Sequence, residues 1–298
     1  MNGKISSRLL VLNASNRLRE AGSESPYLDA TLLLASVWGV TREKLFTLFG
    51  DPVEPDDAAA FKTLVERRIA GEPIAYLIGS REFYGHRFMV DRHVLVPRPD
   101  TEILVDTVLG LCPEGESWRI HDCCTGSGCV AISVSAARPR ASVSMSDISG
   151  EALDVAVVNS NSILGESLPY WKSDLLAEVP GRFNVITCNP PYLTGADMSA
   201  LDEPSDTPAA SERTPRHEPK EALYGGNDGL EFVNRLIHDA LASLASNGYI
   251  VLEIADAQAE PVMKLLETTG YRNVFVQRDL AGRRRVVGGQ ACSDTTAN

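Results

Sequence analysis

Five short apolar runs, each ending near a polar residue, constrain the fold of this chain more than any other feature. SWRIHDCC, ASVSMSD, LPYWKSD, FNVITCN and GYIVLEI read as strands. CVAISVSAAR, EALDVAVVNSN, DGLEFVNRLIHDALASLA and QAEPVMKLLETTG supply the helical patterns that follow most of them. Strands this apolar need cover on both faces, so the alternation predicts an α/β architecture built on a parallel sheet. YRNVFVQ and RRVVGG, joined by DLAGR, add a terminal antiparallel pair. The carboxyl ends of the parallel strands then share one edge, where ligands of open α/β sheets bind.

The flanks divide the chain further. Residues 1–72 read as a small helical domain: Ser25 and Pro26 open one run, Thr41 is an N-cap for REKLFTLFG, and the run DDAAAFKTLVERRIAG from Asp56 stops at Gly71. Residues 73–97 turn to aromatic and β-branched stretches (AYLIG, REFYGHRFMV, HVLV) and predict a hairpin linker. Residues 98–290 form the sheet domain, and 291–298 are expected to be a disordered tail. Residues 193–227, rich in Pro, Ser, Asp and Glu, show no clear secondary structure, and function is expected at their two ends.

Composition excludes several classes. The chain has 298 residues and a formal net charge of −12, with no stripe of Lys and Arg, which argues against a nucleic-acid substrate unless Arg67, Arg68 and Arg283, Arg284, Arg285 gather in space. MNGKISSRLL lacks a secretion-signal pattern and no run is long enough to span a bilayer, so a cytoplasmic protein is expected. None of the six cysteines forms a CxxC pair. His121 with Cys123, Cys124 and Cys129 is the one conceivable ligand set, but adjacent cysteines rarely bind one ion, and no metal is expected.

The strand ends carry the chemistry. Thr125, Gly126, Ser127 and Gly128 make a tight strand-to-helix turn where backbone can approach a ligand, and the absence of GKS or GKT excludes a phosphate-cradling P-loop. Asp147 ends the next strand about twenty residues on, where an acid accepts both ribose hydroxyls. Asp174 ends the third, within reach of an adenine edge. These point to an adenosine-containing ligand. The fourth ends TCNPPYLT: Pro190 and Pro191 stiffen the chain, so Asn189 is held in one place. Its side-chain oxygen, with the Pro190 carbonyl, would accept both N–H bonds of an NH2 group, turn the nitrogen lone pair toward an electrophilic methyl and stabilise the developing positive charge. Tyr192 would pack on the planar group.

GEPIAYLIGSREFYGHRF, VLVPRPDTEILV, TGSG, CNPPYL, EPKEALYGGNDGL and RDLAGRRRVV together resemble the protein N5-glutamine methyltransferases that modify peptide-chain release factors, from about Ser25 to Gly288. The resemblance implies a seven-stranded Rossmann-like adenosylmethionine-dependent methyltransferase domain behind a helical substrate-recognition domain and a β-hairpin connector. It implies methylation of the glutamine in the release factor's Gly-Gly-Gln loop, with S-adenosylmethionine as donor. Carried over by motif, Cys124, Thr125, Gly126, Ser127 and Gly128 would line the methionine part of the cofactor, Asp147 the ribose, and Asp174 with Leu175 the adenine. Asn189, Pro190, Pro191 and Tyr192 would hold the glutamine amide, beside Arg98, Thr101 and Glu102; Asn189 also borders the cofactor. Cys124 stands where the family turn has its first glycine, a cost of about 1 kcal/mol if the position needs positive φ. A monomer with no direct nucleic-acid or membrane requirement is expected. Methylation of a ribosomal-protein glutamine, of an exocyclic amine in DNA or RNA, and a non-enzymatic adaptor are the alternative readings.

Overall fold

The computed structural model describes residues 5–202 and 216–292. The chain divides into two compact units, one running to Ser80 and joined by the segment from Ser199, in which the helix Gly195–Asp202 ends, the other comprising Arg81–Met198 with the chain from Glu218. The first contains α1 (Ser7–Glu20), α2 (Pro26–Val37), α3 (Arg42–Thr47), α4 (Pro55–Ile69) and α5 (Ile74–Ile78). Hydroxyls cap two of the starts: Ser6 accepts from the Leu9 N–H and Thr41 from the Lys44 N–H. The helices enclose a core that includes Val11, Leu18, Leu33, Leu34, Phe61 and Val65.

In the run AYLIG, strand-like in sequence, residues 75–78 lie in the one-turn helix α5. Pro73 precedes it, Gly79 at φ +72° ends it, and Ile74 and Leu77 are buried in the helical core. A short apolar run has no period by which strand and helix can be told apart. HVLV is not a strand either: the Val96 N–H donates to the Glu218 carboxylate at 3.0 Å instead of to a ladder.

Arg68 and Asp29 form an ion pair at 2.9 Å with each side chain 1% exposed. Ser23 and Ser25 hydroxyls donate to the same carboxylate, so both charges are well satisfied. Asp29→Ala removes the buried Asp29–Arg68 ion pair and is expected to destabilise this unit by about 3–5 kcal/mol, read from urea unfolding followed by helical circular dichroism.

The second unit begins with a hairpin, β1 (Ser80–Phe83) and β2 (His86–Met89), followed by α6 (Glu102–Leu111). Then come β3 (Arg119–Cys123), α7 (Cys129–Ala137), β4 (Ser142–Asp147), α8 (Gly150–Leu164), β5 (Tyr170–Lys172), β6 (Phe183–Cys188) and α9 (Gly195–Asp202). α10 (Glu231–Ser243), β7 (Leu244–Glu253), α11 (Ala259–Thr269), β8 (Arg272–Arg278) and β9 (Arg284–Gln290) complete it. One seven-stranded sheet has the order β5-β4-β3-β6-β7-β9-β8; β3 to β7 are parallel, and β9 pairs antiparallel with both β7 and β8.

Successive strand residues serve opposite faces. Val185, Val251 and Val286 pack with α6 and α7, while Ile186, Leu252 and Val287 pack with α10 and α11. That two-sided burial is why these strands read as continuous apolar runs. Within residues 193–227, Gly195–Asp202 is helical and Lys220–Ala222 makes a single 3-10 turn, against the expectation of no secondary structure; residues 203–215 lie outside the described residues. The tail expectation also needs correction at its start. Ala291 is buried and its N–H donates to the Gly248 carbonyl at 2.8 Å; residues 293–298 lie outside the described residues.

Candidate active site

β3, β4 and β5 run outward in one direction and β6 returns to the other side of β3, so the order reverses between β3 and β6. A cavity of about 910 Å³ lies at the carboxyl ends of these strands, as the sheet rule requires.

The Gly-rich turn builds one wall. The Thr125 hydroxyl donates to Asp122 at 2.6 Å, its N–H donates to the Ser146 carbonyl on β4, and the Gly128 N–H closes the turn on the Thr125 carbonyl at 2.9 Å. At Gly128 (φ +79°) a Cβ would lie 2.8 Å from the Ile132 side chain and 3.2 Å from Ala156, so only glycine lets α7 start this close to α8. Cys124 has φ +56° and lines the cavity, so the residue replacing the family's first glycine does carry left-handed strain. Asn159, which sequence reasoning passed over as one polar residue in a helix, ties the turn to the hairpin. Its Nδ2 donates to the Ser127 and Met89 carbonyls, and its Oδ1 accepts from the Met89 N–H.

Asp147 lies beside the turn, with its two carboxylate oxygens accepting from the Gly126 and Ser149 N–H groups at 2.9 and 3.0 Å. Burial pushes its carboxyl up to about 6, with the backbone hydrogen bonds pulling the other way. Asp174 also reaches the cavity, but it is 48% exposed and paired with Arg235 at 2.7 Å. Leu175 beside it is buried at φ +52° and lines the same wall.

Of the Asn-Pro-Pro-Tyr segment, Asn189 and Pro191 line the cavity, while Pro190 is buried and neither it nor Tyr192 is in the wall. Burial pushes the Tyr192 phenol up to about 12. The segment is clamped from outside. Leu193 donates to the Leu223 carbonyl and accepts from the Gly225 N–H, both at 2.8 Å, and Gln258 Nε2 donates to the carbonyls of Tyr192 and Gly229. A Cβ on Gly229 would stand 2.3 Å from the Tyr192 carbonyl oxygen, so the GGNDG run allows a close backbone approach.

Asn189 Nδ2 lies 3.4 Å from the Thr101 hydroxyl, and Thr101 stands beside the Glu253 carboxylate, where it works against the effect of burial on that carboxyl. Glu253 ends β7, is 4% exposed, and its Oε2 has no hydrogen-bond partner among the described residues. Burial raises its carboxyl to about 7. When ionised it must accept from Thr101. The Thr101 oxygen then accepts from Asn189 Nδ2, which leaves the Asn189 oxygen for a ligand. Sequence reasoning missed Glu253, although an acid ending a strand is the signal that singled out Asp147.

Arg98 lines the cavity and is paired with the buried Glu218 carboxylate. Glu102, expected beside the substrate, is instead turned to the hairpin. Its carboxylate accepts from the Tyr84 N–H at 2.9 Å, because the left-handed Tyr84 (φ +48°) leaves that donor without a strand partner. His121 is a core residue: its ring nitrogens meet the Ser144 and Ser146 hydroxyls, and burial lowers its pKa to about 3. Of the five arginines singled out in the sequence, four are paired with acids. Besides the buried Arg68, Arg67 pairs with Glu72, Arg284 with Asp256 and Glu260, and Arg285 with Asp100 and Asp279.

The sheet is shared with solved methyltransferases. A methyltransferase from Pyrococcus furiosus matches 76% of this chain and 98% of its own at TM-score 0.53 and 17% identity. The catalytic domain of hMettl16, solved with an RNA hairpin, matches 78% and 84% at TM-score 0.57 and 17% identity. At such identities the likeness shows the fold alone. A family model described as the methyltransferase small domain covers residues 99–202, of which 99–198 lie in the unit that holds the cavity. The fold is thus that of a methyltransferase sheet, with its cavity at the strand ends where open α/β sheets bind ligands.

The helical unit narrows the class, because residues 10–79 match the PrmC N-terminal domain. Release factor glutamine methyltransferases from Bordetella pertussis and Coxiella burnetii are 39% and 35% identical over 89% of this chain, covering 94% and 92% of their own lengths. One from Deinococcus radiodurans is 37% identical over 94% of the chain. The chain belongs to the release factor glutamine methyltransferase family.

Proposed function

We propose that this protein methylates the side-chain amide N5 of the glutamine in the Gly-Gly-Gln loop of peptide-chain release factors. Asn189 carries the reading: its amide stands at a strand end above the cavity, with its donor side turned to Thr101. Its oxygen then accepts from the substrate NH2, and the Pro190 carbonyl takes the second hydrogen. The nitrogen lone pair turns toward the donor, and the positive charge that grows on nitrogen meets oxygen dipoles already in place. Pro191 stiffens the segment and Tyr192 packs against the planar amide. Arg98 borders the entry, while Glu102 acts indirectly by holding the hairpin.

The cavity fits an adenosylmethionine donor by its glycine turn, where Gly126 at φ +54° leaves open space in the wall, and by the acid at the end of the second strand. Cys124, Thr125, Gly126, Ser127 and Gly128 would border its methionine part, Asp147 the ribose, and Asp174 with Leu175 the adenine. Bound there, it supplies an electrophilic sulfonium methyl. No described helix is long and apolar enough to cross a membrane. The helical unit is the part of the chain we assign to holding the release factor.

Transfer of labelled methyl to purified release factor tests the reading. Label on the native factor and none on its Gln→Ala version at the Gly-Gly-Gln loop is expected. Label on a ribosomal protein or nucleic acid, with the native factor unlabelled, would overturn it.

A further inference from the structure

The sulfur atoms of Cys123, Cys124 and Cys188 all lie within 4.8 Å of one another. Cys123 ends β3 and Cys188 ends β6, and they are register partners in that parallel pair, so their side chains stand on one face of the sheet. Strand alternation would send Cys124 to the other face. Its left-handed backbone, φ +56°, breaks the alternation and brings its sulfur back among the other two. The sequence-based objection that neighbouring cysteines rarely share an ion fails for this reason. The third sulfur is not Cys129 but Cys188, which the fold delivers from another strand.

The setting suits a soft ion. Cys123 and Cys188 are buried in the apolar layer beneath the sheet edge, whereas Cys124 is part-exposed and lines the cavity, which gives an ion a way in. Tetrahedral zinc with sulfurs at about 2.3 Å holds them roughly 3.8 Å apart, so rotations of the side chains close the remaining gap. Because Cys124 lines the cavity, an ion bound to its sulfur would alter the wall beside the Gly-rich turn.

We propose that Cys123, Cys124 and Cys188 form a three-thiolate site for one thiophilic ion of the Zn2+ or Cd2+ type, entered from the cavity and antagonistic to a ligand on the Gly-rich turn. The ion displaces three thiol protons and forms three metal–sulfur bonds, with no electron transferred, so binding strengthens as pH rises. A cysteine at a positive-φ position is strained relative to glycine, and in the metal-bound protein a metal–sulfur bond offsets that strain. The antagonism rests on the cofactor reading above; the metal site itself does not.

The test uses the full chain, fully reduced, with the exposed Cys292 replaced by Ser to remove a competing thiol. Titration with Cd2+ alone is expected to raise a near-ultraviolet thiolate-to-cadmium band that saturates at one ion per chain, with three protons released. Cys124→Gly keeps the turn, since glycine suits positive φ, and Cys188→Ser removes a different sulfur; circular dichroism checks that each is folded. Each is expected to weaken Cd2+ binding roughly tenfold or more. No band, or a band undiminished in the folded Cys124→Gly protein, overturns the site. Adenosylmethionine binding measured by calorimetry is expected to weaken in the Cd2+-loaded protein but not in Cd2+-treated Cys188→Ser, whose substitution lies outside the cavity lining. Equal binding with and without Cd2+ overturns the antagonism while leaving the function reading untouched.

Discussion

Asn189→Ala lowers kcat for release-factor methylation by about 100- to 1,000-fold, the loss expected when one preorganised polar partner of the developing charge is removed. Among the described residues its side chain makes one long hydrogen bond, 3.4 Å to Thr101, so the variant keeps its fold and its melting temperature changes little. Adenosylmethionine affinity falls far less than kcat, because the turn, Asp147 and Asp174 remain. Asn189→Asp separates two parts of the account. It keeps acceptor oxygens for the substrate amide but cannot donate to Thr101, and it places a charge where a dipole stood, so it recovers only part of the activity. Single-turnover methyl transfer alongside cofactor titration reads both. An Asn189→Ala enzyme with unchanged kcat would mean that the amide is oriented elsewhere.

Glu253→Gln is expected to move stability and activity in opposite directions. The folded carboxyl titrates near 7, above its ordinary value of 4.5, so the native state holds that proton more tightly than the unfolded chain. The cost of burying the charge is absent below the unfolded pKa, grows as pH rises through the folded one, and is complete above it. A shift of this size corresponds to roughly 3 kcal/mol. Glu253→Gln therefore stabilises the sheet unit by about that amount at pH 8 and hardly at all at pH 4, in denaturant unfolding of wild type and variant. Activity falls because a neutral amide can donate to Thr101, which frees that hydroxyl to donate to Asn189 and lets the Asn189 amide turn over. The wild-type kcat should rise with pH through about 7, and the variant should lose that limb. Equal stability at pH 8 would mean that the carboxylate is solvated and the burial argument fails.

Much of this was legible in one dimension. Asp147, Asn189 and the glycine turn could be picked out because each closes a periodic segment, and strand ends of a parallel sheet share an edge whatever the strand order. The left-handed strain at Cys124 was also foreseeable, since the residue stands where the family pattern has glycine and φ is +56° there. The misreadings have a common origin. AYLIG lacks enough residues to show a period, and Glu102 looks like a site residue until the hairpin brings the unpaired Tyr84 N–H to it.

By itself the sequence determined the alternation of strands and helices, the two-faced burial of the sheet, the placement of turn, acids and Asn-Pro-Pro-Tyr at its carboxyl edge, and the family. These follow from local periodicity and from residues whose backbone limits act within a few positions. Only the tertiary structure decided that Glu253 stands behind Thr101 and Asn189, that Gln258 and the GGNDG run clamp the segment from outside, and that Cys188 joins Cys123 and Cys124. Each of those meetings depends on which strands and loops become neighbours, and strand order is settled by the packing of the whole sheet between its helices, which no local pattern encodes.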